Sequence, residues 1–133
     1  DKRLLDEWID DGFIEYWGYQ KDMNETINKS SIVVLPSYYG EGFPKVLMEA
    51  AACGKPVITT DHPGCRDAII PGKTGLLIPT KDHKALISSL EFLLSSNVNC
   101  IRMGSEGRAL AESKFGIDKV IGTHLSIYKT LVN

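Results

Sequence analysis

The stretch Ile32-Val33-Val34-Leu35-Pro36-Ser37-Tyr38-Tyr39-Gly40-Glu41-Gly42-Phe43-Pro44-Lys45-Val46-Leu47-Met48-Glu49 contains, in order, an apolar run, a glycine-containing loop and a helical segment. Four successive apolar residues mark a strand buried on both faces, as in a parallel sheet. Pro36-Ser37 ends it. The spacing predicts a helix from Phe43 to Cys53, with Pro44 in its first turn and Gly54 past its end.

Moving outward, the pattern repeats. Pro56–Thr60 and Gly75–Ile78 read as further strands, separated by a loop through Pro63-Gly64 and a helical turn near Arg66–Ile69. Asp82 caps a helix whose apolar face carries Leu86, Ile87, Leu90, Leu93 and Leu94. Two more helices follow, over about Val98–Ser113 and Ile117–Leu131. On the amino-terminal side, a helix over residues 2–11 stops at Gly12, and Phe13–Trp17 reads as an aromatic-rich strand closed by Gly18. Asp22 and Glu25 have capping-box spacing and open a short helix to about Lys29. Strands alternating with helices predict an α/β fold, a parallel sheet covered on both sides.

With 133 residues, the chain is expected to form one domain. A net charge of −2 and the lack of a basic stripe with interleaved aromatics argue against nucleic acid as a partner. Cys53, Cys65 and Cys100 have no metal-ligand spacing, and Cys53 reads as a small core hydrophobe. Asn24-Glu25-Thr26 and Asn28-Lys29-Ser30 fit the N-glycosylation pattern but read as polar helix surface. No run of about 18 apolar residues suggests a membrane span.

Ligands of an open parallel sheet bind beyond the carboxyl ends of its strands. The first amides of a helix lack internal partners and sit at the positive end of its dipole, which suits a phosphate. Gly42 allows close backbone approach there, and Phe43, Lys45 and Val46 supply amides. Glu41 and Glu49 flank the same crevice, and a carboxylate can accept from two vicinal hydroxyls of a sugar or ribose. A plainer reading stands beside this one: Glu41 as a dipole-favoured surface residue, and Lys45 with Glu49 as an exposed i,i+4 pair. Against it, Glu49 interrupts an otherwise apolar helix, where a buried unpaired charge would cost several kcal/mol. Of the histidines, His62 alone lies in a loop near the crevice; His83 reads as helix-start surface and His124 as part of a packing stripe.

Glu41 through Pro56, EGFPKVLMEAAACGKP, resembles the E-x7-E signature of the retaining, group 1 glycosyltransferases with the GT-B architecture. Gly18-Tyr19, Val34-Leu35-Pro36-Ser37, Val57-Ile58-Thr59-Thr60, Pro63-Gly64-Cys65-Arg66-Asp67 and Gly72-Lys73-Thr74-Gly75-Leu76-Leu77 follow the family's order and spacing. The resemblance implies a Rossmann-like, doubly wound C-terminal domain of a GT-B fold, lacking its first two strands, with residues 1–133 as the donor-binding part. It implies that Glu41, the catalytic candidate, contacts the transferred sugar. Amides of Gly42, Phe43, Lys45 and Val46 would hold sugar and diphosphate, Glu49 the ribose, and the backbone at Gly18 and Tyr19 the base.

The implied donor is a UDP-sugar, with a GDP-sugar second, and the acceptor a glycan or lipid-linked molecule. No cofactor or metal is implied, in keeping with the absence of an Asp-x-Asp motif from the sequence. The family's second glycine after Phe43 is replaced by Pro44-Lys45, a variant similar to enzymes building capsule, lipopolysaccharide or other surface glycans. The family's acid after Pro-Gly is Asp67 here rather than Glu. The expected location is the cytoplasm or the inner face of the cell membrane.

Lys2 and Arg3 sit in a helix and do not take the place of the diphosphate-gripping Arg and Lys of the family's earlier turn. The strand Phe13–Trp17 would lack its usual neighbour, so a dimer through an exposed sheet edge is expected, as is an N-terminal acceptor domain outside this chain. The rival reading is a split or non-catalytic nucleotide-sugar-binding subunit that needs a partner chain. A receiver or flavodoxin-like domain would need an acidic cluster and a later lysine in an order the sequence does not provide.

Overall fold

A computed structural model describes residues 2–40 and 42–132. Among these, the strands β1 (Val33–Leu35), β2 (Val57–Thr60) and β3 (Gly75–Ile78) form one parallel sheet in the order β1-β2-β3. Val33 pairs with Val57, and Val57 in turn with Gly75. The helices are α1 (Lys2–Asp10), α2 (Met23–Asn28), α3 (Lys45–Ala52), α4 (His83–Leu94), α5 (Asn97–Lys114) and α6 (Ile117–Val132), with a 3₁₀ turn at Arg66–Ala68.

The alternating sides of the strands build two cores. On one face Val57 packs with Leu47 and Ala50 of α3 and with Cys65, Ala68 and Ile69. On the other, Ile58 and Ile78 meet Leu93 of α4 and Met103 of α5. The central strand β2 is therefore covered on both sides, whereas β1, expected to be buried on both faces, has Val33 and Leu35 only partly buried and Val34 exposed, because it is an edge strand with no outer neighbour among the described residues. Cys65 is the cysteine that fills core, whereas Cys53 is half-buried with its thiol 3.9 Å from the side-chain Oδ1 of Asn24. Both expected aspartate caps form: Asp22 accepts from the Glu25 amide and Asp82 from the Ala85 amide, each at 2.9 Å.

The helix α5 also lies against α3, and a glycine makes that possible. A Cβ on Gly104 would overlap the Gly54 carbonyl oxygen and lie 2.9 Å from its carbon. Gly54 itself, at φ 65°, turns the chain out of α3 into β2. Arg108 adds a bond at the same end of α3, donating from Nη1 to the Ala52 carbonyl.

Three expectations change. Phe13–Trp17 is not a strand: the amides of Phe13 and Ile14 turn back to the Trp8 carbonyl, at 3.0 and 3.4 Å, and the segment pairs with no strand among the described residues. The helix α3 begins at Lys45, not Phe43, because Pro44 takes the N-cap with extended backbone (φ −68°, ψ 117°). Proline also disfavours helical geometry in the residue before it, which keeps Phe43 out. On α4, Leu86 and Leu90 pack and Leu93 is buried, but Ile87 and Leu94 are exposed, so the apolar face is narrower than its pattern.

Adding a methyl at the α3–α5 contact has nowhere to go. Gly104→Ala should destabilise the fold by about 1–3 kcal/mol despite alanine's better helix propensity. The check is a shift of the urea unfolding midpoint at unchanged slope; an unchanged midpoint would mean α5 can slide away.

Candidate functional site

The carboxyl ends of β1 and β2 are tied together. Thr59 and Thr60, both buried, donate their hydroxyls to the Leu35 carbonyl (2.9 Å) and the Ser37 carbonyl, respectively. They hold the chain as it leaves β1. Next come Tyr38 and Tyr39, with ring centroids 4.2 Å apart and hydroxyls 2.9 Å apart. That hydrogen bond, then the nearby Tyr38 charge and desolvation, push the Tyr39 phenol above its ordinary pKa. Glu41, the catalytic candidate, lies outside the described residues.

Beyond it, Gly42 is exposed, and Phe43 meets Phe115 edge-on at 5.3 Å. Since Pro44 is the N-cap, Lys45 and Val46 carry the first amides of α3, while those of Gly42 and Phe43 belong to the loop before it. The Leu47 amide already bonds to the Pro44 carbonyl at 3.1 Å. The Val46 side chain packs towards the core, so only its backbone is available to a ligand.

Glu49 is 22% exposed, and its Oε1 lies 3.3 Å from Nζ of Lys45, which is 83% exposed. Thus the i,i+4 pair forms, but its acidic member is mostly covered. Glu49 lines a cavity of about 400 Å³ between α3 and α5, together with Asn24 of α2, Lys45, Arg108, Glu112 and others. Both cations in that cavity have carboxylate partners, Arg108 bonding Glu112 at 2.7 Å.

Gly18, at φ 61°, and Tyr19, 90% exposed, sit on the loop leading to α2. Neither lines the Glu49 cavity; from that side Asn24 does. A second cavity of about 410 Å³ is lined by Phe43, Asp67, Phe115 and His124, among others, so His124 faces a cleft rather than a packed stripe. His62 holds its ring Nδ1 3.0 Å from the Pro63 carbonyl oxygen. Asn24, Arg108 and Phe115 were not legible as site residues because they come from elements remote in sequence. The spacing of Asp22 and Glu25 predicted the helix that carries Asn24, and Asn24 itself read as polar helix surface.

A family model described as "Glycosyl transferases group 1" matches residues 12–110. A relative from Campylobacter jejuni subsp. jejuni serotype O:2, N,N'-diacetylbacillosaminyl-diphospho-undecaprenol alpha-1,3-N-acetylgalactosaminyltransferase, is 40% identical over 66% of this chain and 23% of its own length. The capsular polysaccharide biosynthesis glycosyltransferase CapM from Staphylococcus aureus is 32% identical over 79% of this chain and 27% of its own. The chain therefore spans about a quarter of the length of these curated relatives. The solved structure of Anabaena Alr3699/HepE in complex with UDP superposes with a TM-score of 0.85 over 98% of this chain and 36% of that one, at 22% identity, which is a likeness of fold. Among the described residues no helix is long and apolar enough to cross a membrane.

The Lys45–Glu49 pair is too exposed on its lysine side to matter much for folding. Lys45→Gln, neutral in helix propensity, should change stability by no more than about 0.5 kcal/mol. Denaturant titration checks this, and a loss of several times that size would make the pair a structural element.

Proposed function

This chain belongs to the group 1 glycosyltransferases, and we propose that it is the donor-binding, C-terminal half of a retaining enzyme that moves a sugar from a nucleotide diphosphate. The observation that carries this reading is Glu49, a carboxylate largely withdrawn from solvent in a cavity that runs along α3 from Lys45 to Ala52, against the carboxyl-terminal half of α5. A mostly covered carboxylate with one exposed lysine partner retains acceptor capacity, and vicinal ribose hydroxyls supply matching donors. The neighbouring amides of Gly42, Phe43, Lys45 and Val46 would hold the diphosphate at the helix N-terminus. Glu41 would meet the hydroxyls of the transferred sugar, and Gly18–Tyr19 the base. Amides and cations would then stabilise the leaving diphosphate.

The matched proteins support the chemistry by analogy: HepE is seen with UDP, and the Campylobacter enzyme's name specifies a diphospho-undecaprenol-linked acceptor. We therefore favour a UDP-sugar over a GDP-sugar, and a glycan or lipid-linked acceptor of a surface polysaccharide such as capsule or lipopolysaccharide. Action at the cytoplasmic side of the membrane follows from that acceptor. The helix α1 buries none of its residues, leaving Leu4, Leu5 and Trp8 exposed, and β1 has no outer neighbour among the described residues. These features favour completion by further polypeptide: an N-terminal acceptor domain, a second copy at the sheet edge, or the partner of a split subunit.

Calorimetric titration of the chain with UDP and GDP tests the reading. UDP at a hundred times its dissociation constant should stabilise the fold by about 2.7 kcal/mol. Glu49→Ala should weaken binding about tenfold or more, as expected for losing a charge-assisted hydrogen bond. A folded chain that binds neither nucleotide refutes it. Sugar transfer by this chain alone should be undetectable, because the acceptor would be bound elsewhere; sustained turnover would show that the chain is sufficient.

A further inference from the structure

Lys81 is the one non-glycine residue with positive φ, at 60°, among the described residues. It lies in the turn between β3 and α4, one residue before the Asp82 cap. L-residues avoid this region and glycine does not, so a lysine here carries a conformational cost that its side chain has to justify. That side chain reaches across to the loop after β1. Its Nζ stands 4.7 Å over the centroid of the Tyr38 ring, within range of a cation–π attraction.

Behind this contact is empty space. A cavity of about 390 Å³ lies at the carboxyl ends of the strands, bordered by Pro36, Tyr38, Thr60, Ile78, Lys81 and Leu86, among others. The segment Pro36–Gly40 is thus bonded from β2 at Ser37, while Tyr38 borders the cavity together with the lysine that contacts its ring. The same segment runs directly into Gly42 and the N-terminus of α3.

We propose that Lys81 is a positioning residue: its ammonium latches Tyr38, and so sets the loop that leads towards Gly42 and the N-terminus of α3, at the sugar end of the donor. This rests on the donor-site reading above and adds a specific division of labour. Glu49, on α3, would read the nucleotide whether or not the latch is closed. The sugar increment would depend on the latch.

The turn's backbone strain provides a clean variant. Lys81→Gly removes the latch while relieving the positive φ, so it should fold at least as stably as the parent chain. Lys81→Met keeps length without charge, and Lys81→Arg keeps the cation. Amide exchange of residues 37–40 should accelerate about two- to five-fold in the Gly and Met variants, the factor set by an exposed cation–π contact, and stay near the parent rate in the Arg variant. Affinity for UDP-glucose should fall by a similar factor in the first two, with UDP affinity unchanged. Unchanged exchange and UDP-glucose affinity in both variants overturns the proposal. Equal loss for UDP and UDP-glucose overturns the division of labour. If the parent chain binds neither ligand, the donor-site reading and the positioning role both fall, and the exchange rates still establish or refute the latch itself.

Discussion

The strand β2 is buried along its whole length, and its successive side chains belong to different cores. Val57 faces α3 while Ile58 faces α4 and α5, so neither helical layer can be removed without exposing one side of the strand. Burial on both faces leaves the strand no place for a polar side chain unless its hydrogen bonds are met. The two threonines at its carboxyl end satisfy that condition by bonding carbonyls of the chain leaving β1. The same requirement that makes the core thus pins the entrance to the candidate site. Loop position and core packing are one problem here.

The site itself shows how a plain ion pair and a ligand-binding carboxylate occupy the same geometry. Lys45 and Glu49 are spaced to pair on any helix, and they do. What separates Glu49 from an ordinary surface acid is the neighbour that α5 supplies. With α5 held against α3 through Gly104, the cavity acquires a wall bearing Arg108 and Glu112. Arg108 is turned towards the end of α3 and towards Glu112, so it does not neutralise Glu49. The exposed lysine that does is the partner more easily displaced, since little packing holds its head group in place.

The amino-terminal region contrasts with this. Leu4, Trp8, Phe13, Tyr16, Trp17 and Tyr19 are all exposed, an unusual concentration of large apolar side chains on one stretch. Their sequence pattern is that of elements meant to be covered: a helical stripe followed by an aromatic-rich extended segment. A strand is stable through its neighbours' hydrogen bonds and through a buried face, and the described residues provide neither to Phe13–Trp17. Propensity alone did not make it a strand.

By itself the sequence determined the α/β architecture. The short, largely apolar strands β1, β2 and β3, alternating with helices, have few alternatives to a parallel sheet packed between helical layers, and the caps Asp22 and Asp82 depend on contacts within three residues. It also singled out Glu49, because a charge amid Leu47, Met48, Ala50 and Ala51 is conspicuous without any structure. The order of the Gly, Pro and Glu motifs pointed to the family as well. The tertiary structure alone decided which of the cysteines fills core and which distant residues share a cavity with Glu49. It likewise brought Lys81 over Tyr38, 43 positions apart in the chain. Local patterns encode interactions between residues a few positions apart. The contact of Gly104 on Gly54, and the cavity shared by Asn24 and Glu49, are set by how the helices pack, and no spacing in the sequence records that.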